Sequence, residues 1–117
     1  NHTVIMDSHD DPIQQKGPSP KRLMLASLAG CTGIDIVSIL DKMKVRYSDF
    51  TIDITATLTT EHPKIYNHVT IIYKIKLEEV KDQAKMEKAI QLSQDKYCGV
   101  SAMFKAFAKV ETKTEYL

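Results

Sequence analysis

Most of the patterns that would announce a function are missing from this sequence. Its 117 residues include only two cysteines, too few for the disulfide framework of a small secreted domain. Neither sign of charge predominates. Sixteen Lys and Arg stand against fifteen Asp and Glu, a formal +1, with the lysines spread along the chain. That balance gives no electrostatic case for nucleic acid or an acidic membrane surface, and Tyr66, Tyr73, Tyr97 and Tyr116 show no stacking pattern with basic neighbours. The histidines His2, His9, His62 and His68 are scattered without the spacing of a zinc site. His62, before Pro63, reads as a turn residue and His68 as a strand-face residue. There is no Gly-rich phosphate loop, nucleophile elbow or metalloprotease motif, so neither a metal nor a cofactor is expected. No signal-peptide pattern, repeat or low-complexity segment appears, which leads to the expectation of a cytoplasmic protein with reduced thiols.

What is present is ordinary globular composition, 43% hydrophobic and 26% charged, enough for one domain over residues 1–117. The run from His2 to Met6 reads as a strand met part-way, so residues are expected upstream of Asn1. A polar loop follows to Pro18. Ser19 then has the character of an N-cap, with Pro20 at the first helical position. Residues 23–40 carry one charge, Asp35. Eighteen such residues are long enough for a membrane span, but Ser27, Gly30, Thr32, Gly33, Asp35 and Ser38 are too polar for a helix facing lipid. A helix apolar on nearly every side is instead a buried one. A domain this small rarely wraps such a helix by itself, so an obligate oligomer is expected. Gly30 and Gly33 would let another backbone approach Cys31 closely.

From Phe50 the period changes to two. Phe50, Ile52, Ile54, Ala56 and Leu58 fall on one face, and after the turn Glu61-His62-Pro63-Lys64 so do Val69, Ile71, Tyr73, Ile75 and Leu77. Two long strands joined by a short turn predict an antiparallel hairpin covered on one face. Asp82 is the expected cap of a helix reaching Ser93, with Met86, Ala89, Ile90 and Ser93 along one stripe. A short helix with Val100, Met103, Phe104 and Phe107 and a closing strand over residues 110–116 complete an α+β domain.

The reactive-group candidates are Cys31 and Cys98, 67 positions apart. Cys98 precedes the helix expected over residues 99–107, where unpaired N–H groups favour a thiolate. Cys31 sits mid-helix and needs a donor or cation from another element. Against both stands the plainer reading that a cytosolic cysteine in an apolar run is a small buried hydrophobe.

Three segments then resemble the OsmC/Ohr family of osmotically inducible and organic hydroperoxide resistance proteins. They are Gly17-Pro18-Ser19-Pro20 with Leu23 to Thr32, Thr60-Glu61-His62-Pro63 with its following strand, and Ala89 to Val100. The likeness runs from about Val4 to the C-terminus. It implies an OsmC-like fold, an antiparallel sheet packed on a long buried central helix, in an intertwined homodimer. It also implies a thiol peroxidase acting on organic hydroperoxides or hydrogen peroxide, with Cys31 the peroxidatic thiolate and Cys98 the resolving thiol. An external dithiol, a lipoylated protein or a small thiol, would reduce the resulting disulfide. Better-studied branches of the family carry a glutamate ten residues before the first cysteine, paired with an arginine from the preceding loop. Here that position is Lys21 and no arginine precedes Arg22, which leaves Lys16, Lys21 or a residue upstream of Asn1 to activate Cys31. The alternative is a non-catalytic OsmC-like dimer that binds a small apolar or thiol ligand in an interface pocket.

Overall fold

The computed structural model describes residues 1–8 and 11–117; His9 and Asp10 lie outside the described residues. The first regular element is helix α1, Pro20–Lys42. It starts where the sequence predicts, with the Ser19 hydroxyl accepting the Arg22 N–H at 3.3 Å and Pro20 in the first turn. It ends where Lys44 turns into the left-handed region at φ 58°, letting the Val45 N–H reach back to the Leu40 carbonyl at 3.0 Å. Strands β1 (Tyr47–Leu58) and β2 (Tyr66–Leu77) form the expected antiparallel hairpin around the Glu61–Lys64 turn. A 3-10 turn, Val80–Asp82, leads into helix α2, Gln83–Leu92. A π-helical turn, Ser93–Tyr97, then links α2 to the short helix α3, Gly99–Lys105, and strand β3, Lys109–Tyr116, closes the chain.

The sheet order is β1-β2-β3, with β2 central. β3 joins β2 in parallel, so the sheet is mixed where a wholly antiparallel one is expected. The reason lies in the connection. Helices α2 and α3 carry the chain back to the starting end of β2 before β3 begins, a crossover long enough for parallel pairing. Period-two patterning identifies which residues face inward but is silent on strand direction.

One face of the sheet is covered by the helices, and the core lies between them. α1 contributes Leu28, Thr32, Ile36 and Leu40, one residue per turn, all fully buried. β2 contributes Val69, Ile71, Tyr73 and Ile75, α2 contributes Met86, Ala89 and Ile90, and α3 contributes Phe104. The opposite face is polar. Lys74 of β2 lies there between Asp53 of β1, at 2.8 Å, and Glu115 of β3, at 4.0 Å.

Two further expectations need correction. Residues 3–6 form no strand, with Val4, Ile5 and Met6 exposed, and among the described residues no strand precedes β1. That segment is held instead by the loop before α1: the Asp7 N–H donates to the Pro18 carbonyl, and the Ile5 carbonyl occupies the space a Cβ on Gly17 would need. Asp82 sits at the cap position of α2 without a capping hydrogen bond from its side chain; its buried carboxylate lies 3.7 Å from the Lys85 ammonium. As expected of so small a domain, α1 is not enclosed within this chain. By length and hydropathy it could cross a bilayer, yet its inner stripe is the core of this domain. Its outer residues Met24, Ile34 and Val37 are exposed, Ile34 to 73%.

Candidate functional site: two thiols beside a buried polar chain

Cys31 follows the exposed Gly30 and precedes the buried Thr32, so it lies half-buried at the edge of the core stripe of α1. Cys98 is brought to it by the π-helical turn. After Tyr97 the backbone becomes extended (φ −79°, ψ 99°) while the Cys98 N–H remains bonded to the Ser93 carbonyl at 2.8 Å. Cys98 thereby becomes the N-cap of α3, 3% exposed, with its sulfur accepting the Ser101 N–H at 3.3 Å. The Cys31 side chain lies near enough to act on that thiol, and both cysteines are free. Two sulfurs 67 positions apart in the chain are therefore neighbours in the fold.

The electrostatics of Cys98 differ from the expectation of a lowered pKa. Burial is the largest influence and pushes the thiol above its ordinary value. The hydroxyl and backbone N–H of Ser101 act the other way, and the neighbouring Cys31 adds to the upward shift. A helix N-terminus is present, as the sequence suggests, but desolvation outweighs it.

Next to the thiols lies a polar chain that sequence reasoning missed. The Ser93 hydroxyl donates to the Asp35 carboxylate at 3.0 Å. Its proton is thus committed, so at 2.8 Å Ser93 accepts from the Thr32 hydroxyl. Thr32 in turn accepts from the Tyr73 hydroxyl at 2.7 Å, and the Tyr73 oxygen accepts from the Gln94 amide at 3.1 Å. The order Gln94, Tyr73, Thr32, Ser93, Asp35 therefore runs in one direction and ties α1, β2 and the π-helical turn together. Burial raises the Tyr73 pKa most, and the charges of Cys98 and Asp35 raise it further. The signals for this chain lay in polar residues on apolar stripes: Ser93 on the α2 stripe, Tyr73 among inward β2 positions, and Asp35 as the one charge in residues 23–40.

An apolar trough runs past the N-terminal half of α1. One part, about 410 Å³, is lined by Met24, Ile65, Tyr66 and Phe107, with Lys21 and Lys64 at its side. The next part, about 290 Å³, shares Met24 and Phe107 and adds Ser27, Val100, Met103 and Phe104. Ser27 lies one helical turn before Cys31, and Val100 two residues after Cys98. Lys21, in the position where the resemblance calls for glutamate, therefore borders an apolar cavity together with Lys64. Gly33 meets the Ile52 side chain rather than a backbone, and Gly30 faces open space. His62 and His68 sit in the turn and on β2 as expected, His68 being 3.2 Å from Glu111. Among the described residues no three His, Cys, Asp or Glu side chains gather to hold a metal.

A small α+β frame of this kind, with its long central helix flanked by a sheet and two shorter helices, is the frame of the OsmC-like proteins. The family model described as "OsmC-like protein" matches residues 13–113, and the chain belongs to that family. It is similar to Protein YhfA of Escherichia coli strain K12, 32% identical over 102 residues that cover 87% of this chain and 73% of the relative. It is also similar to the crystal structure of a hypothetical protein from Aquifex aeolicus VF5. The identity there is 33%, with 88% of this chain and 76% of the other covered and a TM-score of 0.78. The organic hydroperoxide resistance protein OhrB of Bacillus subtilis has the same fold at 17% identity, covering 88% of this chain and 74% of its own, with a TM-score of 0.65.

Proposed function

We propose that this protein is a cofactor-free dithiol peroxidase, acting as a cytoplasmic homodimer, that reduces organic hydroperoxides or hydrogen peroxide. The observation that carries the reading is the juxtaposition of Cys31 and Cys98. The Cys31 thiolate attacks the terminal oxygen of the hydroperoxide. The O–O bond breaks, the alkoxide takes up a proton to become an alcohol, and Cys31 is left as a sulfenic acid. Cys98 then attacks the Cys31 sulfur. An S–S bond forms, the S–O bond breaks, and the departing hydroxide leaves as water with the Cys98 proton. An external dithiol, a lipoylated protein or a small thiol, reduces the disulfide by exchange and is itself oxidised. Half-exposure suits Cys31 to meeting a solute, and burial suits Cys98 to meeting only Cys31. The apolar trough, which Ser27 and Val100 border within four residues of the two cysteines, fits an alkyl group better than it fits hydrogen peroxide alone.

Cys31→Ser is expected to abolish hydroperoxide consumption with a dithiol reductant, whereas Cys98→Ser leaves Cys31 to stop at the sulfenic acid. Undiminished consumption by Cys31→Ser ends the proposal. A second reading, an OsmC-like dimer that holds an apolar or thiol ligand without turnover, draws on the upward shift of the Cys98 thiol. The rate of thiol alkylation against pH separates the two, because it follows the thiolate fraction. A Cys31 that alkylates only above about pH 8.5 favours binding, and one reactive well below that favours the enzyme.

A further inference from the structure

Cys98 presents a chemical difficulty to the reading just given. A resolving thiol attacks as its thiolate, yet this one is buried among groups that mostly disfavour an anion. Cys31 faces it from α1 and Tyr73 from β2, both acids whose ionised forms would repel a thiolate, and Asp35 stands behind Tyr73. The groups that favour the charge both belong to Ser101. Its backbone N–H donates to the sulfur at 3.3 Å. Its hydroxyl also favours the charged form, and the Ser101 oxygen is fully buried with no hydrogen-bond partner. A buried hydroxyl left otherwise unpaired costs free energy, so a sulfur that becomes an anion is the acceptor it lacks. The placement is also specific. Ser101 is three residues after the N-cap, where its N–H meets the Cys98 sulfur and its hydroxyl is buried beside that turn, while the Cys98 N–H is pinned to Ser93.

We propose that Ser101 is the positioning residue of the resolving step, holding the Cys98 sulfur against Cys31 and carrying the charge of its thiolate through two convergent donors. This deepens the peroxidase reading and rests on it for its role in turnover. The contact itself can be tested separately. In a Cys31→Ala background, where Cys98 is the one remaining thiol, the ultraviolet absorbance of the thiolate is followed against pH. Ser101→Ala should move the midpoint upward, and Ser101→Thr, which keeps the hydroxyl, should return it. With both cysteines present, one equivalent of cumene hydroperoxide is added and Cys31 sulfenic acid is trapped with dimedone. Ser101→Ala should slow disulfide formation roughly tenfold relative to sulfenic acid formation, as loss of one hydrogen bond to a charged group implies. An unmoved midpoint in Ser101→Ala overturns the inference, as does an equal shift in Ser101→Thr, which would mark a packing effect. A moved and rescued midpoint in a protein that consumes no hydroperoxide supports the Ser101 contact while removing the peroxidase reading above it.

Discussion

Residue by residue, the site depends on small polar groups placed where the sequence pattern calls for apolar ones. Thr32, Tyr73 and Ser93 each occupy an inward position of an otherwise hydrophobic stripe and satisfy one another there. The stripes were legible in the sequence and the hydrogen bonds were not, because periodicity identifies a face without identifying what lies across from it. Cys98 shows the same limit. Its place before a helix could be read, but the burial that dominates its acidity could not. That burial has a consequence for stability. A thiol with a raised folded-state pKa holds its proton more tightly folded than unfolded. Below about pH 8.5 both states keep the proton and the contribution is whole. Above it the unfolded chain ionises first, so stability falls as pH rises until the folded thiol has ionised too. Urea unfolding of the reduced protein between about pH 8 and pH 10 should show a falling midpoint, and Cys98→Ala should flatten that slope while lowering the whole curve. An identical slope in the variant would show that Cys98 is not the source.

Among the elements, α1 and the hairpin were the most legible, since Ser19-Pro20 marks the start of the helix and alternation over residues 50–58 and 69–77 marks the strands. The parallel pairing of β3 was not, because direction is decided by the length of the crossover rather than by β3 itself. The run at residues 3–6 has strand composition but meets no partner strand among the described residues, so local propensity alone misleads there. The end of α1 offers a direct test of local chemistry. Lys44 holds φ 58°, a conformation that costs a residue with a Cβ but not glycine. Lys44→Gly is expected to stabilise the reduced protein by roughly 0.5–1 kcal/mol in urea denaturation, the left-handed penalty less the entropy glycine loses on folding. A destabilised variant would show that the Lys44 side chain contributes more than its backbone costs.

For the molecule as a whole, the exposed side of α1 connects fold to function. Ile34 and Val37 border a groove of about 690 Å³ with Gly30, Gly33, Phe50 and Ile52, beside the helix that carries Cys31. The homodimer we propose would bury this face, and light scattering should then give twice the 13.2 kDa chain mass. Val37→Glu should shift the mass toward a single chain, since burying an unpaired carboxylate is costly. The central claim is that Cys31 and Cys98 act as one two-electron unit. It is tested most directly by titrating the fully reduced protein with cumene hydroperoxide and counting free thiols per chain by mass spectrometry. The account predicts that one equivalent removes both thiols, yields cumyl alcohol and leaves a peptide pair joined through Cys31 and Cys98. Two free thiols beside unconsumed hydroperoxide would contradict it.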